Sequence, residues 1–203
     1  MSAVLAIDTA SAVIALALAV DGKIVRSEAL DGAQDHSRLL LPAIHELAGA
    51  MRDQLTGIVV VTGPGSYAGL RVGIATGQGL ALALGIPIRG VGTLAAVAAA
   101  AGFGDGLAIH PAGRGQHACQ AYESGVPTGP LGVREATDLA GPGLAGEGAA
   151  AFEGLEIGPD ARCRAALLAA LPLFEAGGAG SIEAIYLREP NITLPRRTAP
   201  GQR

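Results

Sequence analysis

The sequence predicts an α/β fold with two related lobes, each built on a mixed β-sheet flanked by helices. Three features of the chain point to this class. Asp21-Gly22 joins two apolar runs, which is a strong signal for a β-hairpin. Apolar residues then recur at intervals of three and four, as on one face of a helix. Short β-branched runs follow in alternation with helical segments, and the pattern starts again in the second half of the chain.

The first lobe is predicted to open with a three-stranded meander over residues 4–7, 13–20 and 23–29. A helix should follow, and Pro42 predicts that it begins nearby or is kinked there. The apolar face of this helix repeats at helical spacing and comprises Leu40, Ile44, Leu47, Ala48, Met51 and Leu55.

A glycine-rich segment divides the next strand from the next helix. The strand is predicted at 58–61 and the helix at 72–84, where Gly85 and Pro87 end it. A strand at 88–91 and an alanine-rich helix at 93–101, capped by Thr93, complete the order β-β-β-α-β-α-β-α.

The chain is predicted to divide into a first lobe at 1–101, a smaller second lobe at 102–190 and a tail at 191–203, which we expect to fray. The glycines between 102 and 106 suggest the boundary. The second lobe is expected to contain strands at 107–109 and 118–122, a turn at 123–125, helices at 134–139 and 161–171, and a final strand or extended segment at 183–187.

Composition narrows the possible functions. The formal net charge of the 203-residue chain is −4, so it lacks the basic excess of a protein that grips RNA alone. Cys119 and Cys163 have no partner at metal-binding spacing, so we expect two reduced packing residues. The apolar runs are too short or too interrupted to cross a membrane, and the N-terminus lacks a basic region. A cytoplasmic protein is expected.

Two motifs resemble a known family. Ile7-Asp8-Thr9 follows a first strand and precedes a hairpin, as at the opening of the actin/Hsp70/sugar-kinase fold (the ASKHA fold). The run from Gly63 to Gly73, GPGSYAGLRVG, resembles the signature of the TsaB (YeaZ) family. In the second lobe the chain departs from the family, because residues 110–116 read HPAGRGQ where an Asp-Ala-Arg-Arg-like run is usual.

The resemblance implies a nucleotide or phosphate site at Asp8, Thr9, Gly65, Ser66 and Arg71. It leaves open whether ATP or ADP binds there with magnesium. From the residues alone, the glycines are interpreted first as a close-packed turn, and Arg71 as a contact to a partner. The four histidines make no pair one helical turn apart, so neither a metal site nor catalytic residues are expected.

The resemblance also implies a function in complex with other proteins. Its members support synthesis of threonylcarbamoyl-adenosine in tRNA without catalysing it, so the implied partners are a TsaD-like catalytic subunit, a TsaE-like ATPase and tRNA through the complex. Alone, the chain would form a homodimer. Two rival hypotheses remain: a stand-alone phosphotransferase or acyltransferase of the same fold, and a plain homodimeric scaffold.

The expected partner surface is an apolar patch shared by the first two helices. Glycine inside a helix costs about 1 kcal/mol relative to alanine, so a row of small residues implies a close approach by something. Gly77→Glu should therefore disrupt both dimers and leave the fold intact. The expected patch comprises Leu40, Ile44, Leu47, Met51, Gly73, Gly77 and Ala81.

Overall fold

The computed structural model describes residues 1–32, 35–175 and 182–187, and within them the chain forms two five-stranded sheets. The first sheet has the order β3-β2-β1-β4-β5. Its first three strands are antiparallel, whereas β4 and β5 run parallel to β1. The strands are β1 (Ala3–Asp8), β2 (Val13–Val20), β3 (Lys23–Asp31), β4 (Leu55–Val61) and β5 (Ile88–Val91).

The second sheet repeats this arrangement, with the order β10-β9-β6-β7-β8. Again an antiparallel meander precedes two parallel strands. The strands are β6 (Gly106–Gly113), β7 (Gln116–Glu123), β8 (Val126–Glu135), β9 (Leu144–Gly146) and β10 (Leu155–Glu156). Two mixed sheets of one topology, flanked by helices, make up the actin/Hsp70-like fold, so the predicted fold class is confirmed.

In the part of the chain that the structure describes, four α-helices cover the sheets. They are α1 (His36–Ala48), α2 (Tyr67–Leu84), α3 (Thr93–Ala101) and α4 (Pro159–Glu175). Side chains alternate across a strand, so Leu5 and Ile7 of β1 face α1 and α2, whereas Val4 and Ala6 face α4. At β1 and β2 both faces of the first sheet are therefore buried, which explains why β2 is apolar throughout and β1 is apolar up to Asp8. None of the helices in the described ranges is long and apolar enough to span a membrane.

Several predicted boundaries are wrong. The first helix ends at Ala48, and Met51 lies in a 3₁₀ segment (Gly49–Gln54). Leu55 belongs to β4, where it pairs with Ala3, so strand pairing overrides the helical spacing at this point. Pro42 lies inside α1.

The second helix begins at Tyr67 rather than at residue 72, because Ser66 is its N-cap and accepts a hydrogen bond from the Gly69 backbone N–H at 3.2 Å. Thr93 does not cap α3: Gly92 holds the N-cap position, and no side chain caps this helix.

In the second lobe, the short helix predicted at 134–139 is the end of β8 followed by a 3₁₀ turn (Ala136–Asp138). The strand ladder extends to Glu135, which pairs with Gln116, so tertiary pairing decides this segment. Residues 182–187 have no regular structure. The predicted tail at 191–203 lies outside the described residues. Cys119 and Cys163 are free and buried, as predicted.

Candidate functional site

The glycine-rich loop between β4 and α2 packs tightly against the end of β1. The Ser66 backbone N–H donates a hydrogen bond to the Ala10 carbonyl at 2.7 Å. The Thr9 hydroxyl donates to the Gly69 carbonyl at 2.8 Å. A Cβ at Gly65 would collide with the Ala10 backbone, and one at Gly69 would collide with the carbonyl oxygen of Thr9. Only glycine leaves room for this approach.

A short C-terminal segment, residues 182–187, lies across the same loop. The Ile185 backbone N–H donates to the Thr62 carbonyl at 2.8 Å. A Cβ at Gly63, whose φ is +106°, would lie 2.7 Å from the Ile185 carbonyl oxygen. The Tyr186 ring packs against the Tyr67 ring with their centroids 4.9 Å apart. The loop is therefore held from both sides, by β1 and by this segment.

Arg71 lies one turn into α2 and is exposed. Its Nη1 donates a hydrogen bond to the Tyr67 hydroxyl at 2.9 Å, and its guanidinium lies 5.2 Å from the centre of the Tyr67 ring. Tyr67 and Tyr186 are about two-fifths exposed. Tyrosine and arginine are enriched at protein interfaces, so the composition of this surface suits contact with a partner.

A buried ion pair closes the end of β1 from the other side. The side chains of Asp8 and Arg162 are both inaccessible to solvent. Arg162 Nε donates to Asp8 Oδ2 at 2.7 Å, and Nη2 donates to Oδ1 at 3.3 Å. Asp8 Oδ1 also accepts a hydrogen bond from the Ala10 backbone N–H at 2.9 Å. Both carboxylate oxygens are thus used within the protein.

The second lobe completes this cluster. Arg162 Nη1 donates to Glu147 Oε2 at 2.9 Å and lies 3.2 Å from His110 Nδ1. His110 Nε2 lies 3.3 Å from the Ala10 carbonyl. Glu147 keeps 28% of its side chain exposed, so the cluster reaches solvent only at this carboxylate.

The cluster keeps His110 neutral. Burial, reinforced by the Arg162 charge, lowers the pKa of His110 from 6.5 to about 4. The neutral ring donates through one nitrogen, and hydrogen bonding to the Ala10 carbonyl favours the tautomer with the proton on Nε2. Nδ1 then accepts from Arg162.

A cleft of about 420 Å³ opens beside this cluster, between the two sheets. Its lining includes Ser66, Tyr67, His110 and Glu147, but not Asp8 or Thr9, which are fully buried. The fold therefore gathers Asp8, Thr9, Gly65 and Ser66 at the end of β1, and separates them from Arg71 on the exposed side of α2. Within the described ranges, no group of three His, Cys, Asp or Glu side chains is placed to hold a metal ion.

Sequence reasoning missed Arg162, which pairs with the Asp8 carboxylate, and Glu147, which contacts Arg162. Arg162 lies 154 positions after Asp8 in the chain. No local motif links such distant positions, and only the packing of α4 on the first sheet brings them together.

The predicted partner patch is wrong in its residues. Leu40, Ile44, Leu47 and Ala81 are buried in the core between the helices and the first sheet, and Met51 packs at its edge. Each row of apolar side chains covers the sheet, because β1 and β4 need both of their faces buried.

The two glycines of the patch are also internal. A Cβ at Gly73 would collide with the Thr9 side chain, and one at Gly77 would lie 2.5 Å from Val60 Cγ2. Their role is close packing of α2 on the sheet, and Gly77→Glu would disrupt the fold rather than spare it.

The exposed sides of α1 and α2 nevertheless form an apolar surface. A groove of about 490 Å³ lies between them, and Leu41, Leu80 and Leu84 contribute to its lining. Leu41 is 54% exposed and Leu82 is 86% exposed. Gly79 and Leu82 lie outside the lining of this groove, on the outward side of α2, and a Cβ at Gly79 would have no described atom within 4 Å. We call the groove and this outward side of α2 together the α1–α2 face.

The fold and the site define a class: an actin/Hsp70-like protein whose first-strand carboxylate is closed off by a buried arginine. Residues 30–142 match the family model described as TsaD, tRNA N6-adenosine threonylcarbamoyltransferase. The chain is 38% identical over 119 residues to the tRNA threonylcarbamoyladenosine biosynthesis protein TsaB of Bacillus subtilis, an alignment covering 56% of this chain and 52% of that protein. With TsaB of Escherichia coli it shares 37% identity over 98 residues, which cover 47% of this chain and 42% of that protein.

The structural comparison agrees. YeaZ from Pseudomonas aeruginosa superposes with a TM-score of 0.70 at 26% identity, covering 92% of this chain and all of that one. Among the sequence relatives, an uncharacterised protein of Mycobacterium tuberculosis is 36% identical over 156 residues, which cover 73% of this chain and 73% of that protein. The chain belongs to the TsaB (YeaZ) family. Its alignment with the Bacillus relative spans about half of that protein's length.

Proposed function

We propose that this chain is a non-catalytic partner subunit in the synthesis of N6-threonylcarbamoyl-adenosine at position 37 of tRNA. In this proposal a TsaD-like catalytic subunit docks on the α1–α2 face. A TsaE-like ATPase serves the same complex, and tRNA is reached through it, which implies a cytoplasmic location. Residues 1–101, which carry the face, form the partner-binding lobe.

The observation that carries the proposal is the α1–α2 face in a member of this family. Exposed apolar surface that is rimmed by polar residues often marks a partner site. Leu41 and Leu82 offer apolar side chains for burial, and Gly79 allows a second backbone to come close. At the N-terminal end of α2, Arg71 and Tyr67 add the polar contacts that the rim of an interface needs.

The same face explains a homodimer in the absence of a partner. Two copies related by a two-fold axis would each present the α1–α2 face, which makes a self-complementary interface. The family model that this chain matches is described as TsaD, so in this proposal the TsaD-like subunit has a related fold and takes the place of the second copy on the α1–α2 face. The homodimer and the heterodimer then compete for one surface.

Two further observations support a role without catalysis. The Asp8 carboxylate, which a kinase-like relative would use toward magnesium, is fully buried and hydrogen-bonded to Arg162. The net charge of −4 gives the chain no basic excess with which to hold tRNA by itself. Catalysis and most tRNA contact are therefore assigned to the partners.

The proposal is tested by the oligomeric state of charged variants. Leu82→Glu and Leu41→Glu place a carboxylate on the α1–α2 face, where solvent accepts it in the monomer. An interface that buries it unpaired loses roughly 3 kcal/mol or more, so binding should weaken by at least about 100-fold. Light scattering after size exclusion should show wild type as a dimer alone and as a heterodimer with the TsaD-like protein of the same organism.

Val126→Glu is the matched control, since Val126 is 61% exposed and lies on β8 of the second sheet. It should behave as wild type in both measurements, whereas the two face variants should be folded monomers that do not bind the partner. Retention of both dimers by a folded Leu82→Glu protein would show that this face is not the interface.

A further inference from the structure

The guanidinium of Arg162 is enclosed by three side chains from three parts of the fold. Asp8 ends β1 of the first sheet, His110 belongs to β6 of the second sheet, and Glu147 follows β9. Their atoms lie 2.7 to 3.3 Å from the guanidinium nitrogens. Two carboxylates and one imidazole nitrogen are ligand types that divalent metal ions also use, although in this structure they surround a guanidinium and are not placed to hold a metal ion.

Arg162 itself is delivered by α4, which packs on the first sheet through Cys163, Ala166, Leu167 and Ala170. Its side chain therefore starts beside the first sheet and reaches Glu147 and His110, which belong to the second sheet and its loops. Burial of a charge is costly unless it is paired and hydrogen-bonded, and this guanidinium uses Nε, Nη1 and Nη2 in described contacts. The pairing is complete on the side of Asp8, where no solvent enters.

We infer that Arg162 is a built-in cation that takes the place of a bound metal ion at the carboxylate of β1. The arginine neutralises Asp8 permanently, so the cleft holds no magnesium–nucleotide through that residue. It also ties the two sheets together through one side chain. This inference goes beyond the proposed function and does not depend on the α1–α2 face. Either one can therefore be refuted while the other stands.

The first test removes the cation and supplies another. Arg162→Ala leaves Asp8 and Glu147 facing a vacated space and should lower Tm by about 10 °C, because an uncompensated charge remains buried. Millimolar methylguanidinium or Mn²⁺ should recover several degrees in this variant. Neither cation should raise Tm in wild type, in Arg162→Ala combined with Asp8→Asn, or in Gly77→Ala, where any loss of stability comes from packing alone.

Recovery by either cation in the single variant alone supports the inference. The inference is overturned if neither cation raises the Tm of Arg162→Ala, or if the cations raise the Tm of Gly77→Ala by the same amount. It is also overturned if Arg162→Ala is as stable as wild type. It is also overturned if magnesium–ADP raises the Tm of wild type and Asp8→Asn abolishes that rise.

A second measurement covers the case in which Arg162→Ala does not fold. Asp8→Asn and Arg162→Gln replace the ion pair by two neutral amides that can still hydrogen-bond. The double variant should lose less Tm than the two single variants lose together, because each single change leaves the other residue buried with an unpaired charge. Additive losses in Tm would show that the two residues act separately and would refute the built-in cation.

Discussion

Substitution by alanine should change the free energy of unfolding differently at two glycines of α2, Gly77 and Gly79. Gly77 and Gly79 both lie within α2. In a helix, alanine is favoured over glycine by about 1 kcal/mol, since glycine loses more backbone entropy. At Gly79 a Cβ would have no described atom within 4 Å, so Gly79→Ala should gain most of that stability.

At Gly77 the same methyl group would lie 2.5 Å from Val60 Cγ2 and 3.2 Å from Ile88 Cδ1. Val60 is fully buried and β-branched, so it has no free rotamer with which to move away. Overpacking of this kind costs about 1–3 kcal/mol, which cancels or exceeds the gain in helix propensity. Gly77→Ala should therefore be neutral to about 2 kcal/mol less stable.

Urea unfolding followed by circular dichroism measures both free energies of unfolding. It should be run on the Leu82→Glu background so that dimer dissociation does not enter. The reasoning predicts that Gly79→Ala exceeds Gly77→Ala in stability by roughly 1–3 kcal/mol. Equal effects at the two positions, or a larger gain at Gly77, would refute the assignment of Gly77 to internal packing and of Gly79 to the exposed face.

Two other predictions concern the site. Gly65→Val and Gly69→Val should each destabilise the fold by several kcal/mol and weaken partner binding, since the new side chains would collide with the backbone at Ala10 and Thr9. Unchanged Tm together with unchanged affinity in pull-down titrations would contradict this prediction. His110 is protonated in the unfolded chain below pH 6.5 but in the folded protein only below about pH 4, so acid favours unfolding across that window. Wild type should lose roughly 3 kcal/mol more stability between pH 7 and pH 4 than His110→Gln, measured by urea unfolding at both pH values; parallel losses would show that His110 titrates normally.

The sequence predicts the strands of the first lobe well because their signals are local. Asp21-Gly22 joins β2 and β3, and the strands on either side of it pair with one register shift, between Leu18 and Ala19. Boundaries that depend on tertiary pairing were harder to predict. The periodicity that suggested a helix up to Leu55 continues by chance into a residue that pairs with Ala3.

The site shows the same division between local and distant information. The glycine loop and its N-cap Ser66 can be found from a single stretch of sequence. Which face of α2 is exposed cannot, because glycine gives no hydrophobic signal and both Gly77 and Gly79 suit a close contact. The charged partner of Asp8 comes from the second half of the chain, and only the packed fold identifies Arg162 among the arginines.

The central claim is that the chain supports tRNA modification by binding a partner through the α1–α2 face. Its most direct test is formation of threonylcarbamoyl-adenosine in a reconstituted mixture of the TsaD-like protein, the TsaE-like ATPase, threonylcarbamoyl-AMP and tRNA, with the modified nucleoside measured by mass spectrometry. Modification should require this chain, persist with Val126→Glu and disappear with Leu82→Glu. Full modification without the chain, or full support by a folded Leu82→Glu protein that does not bind the TsaD-like subunit, would contradict the claim.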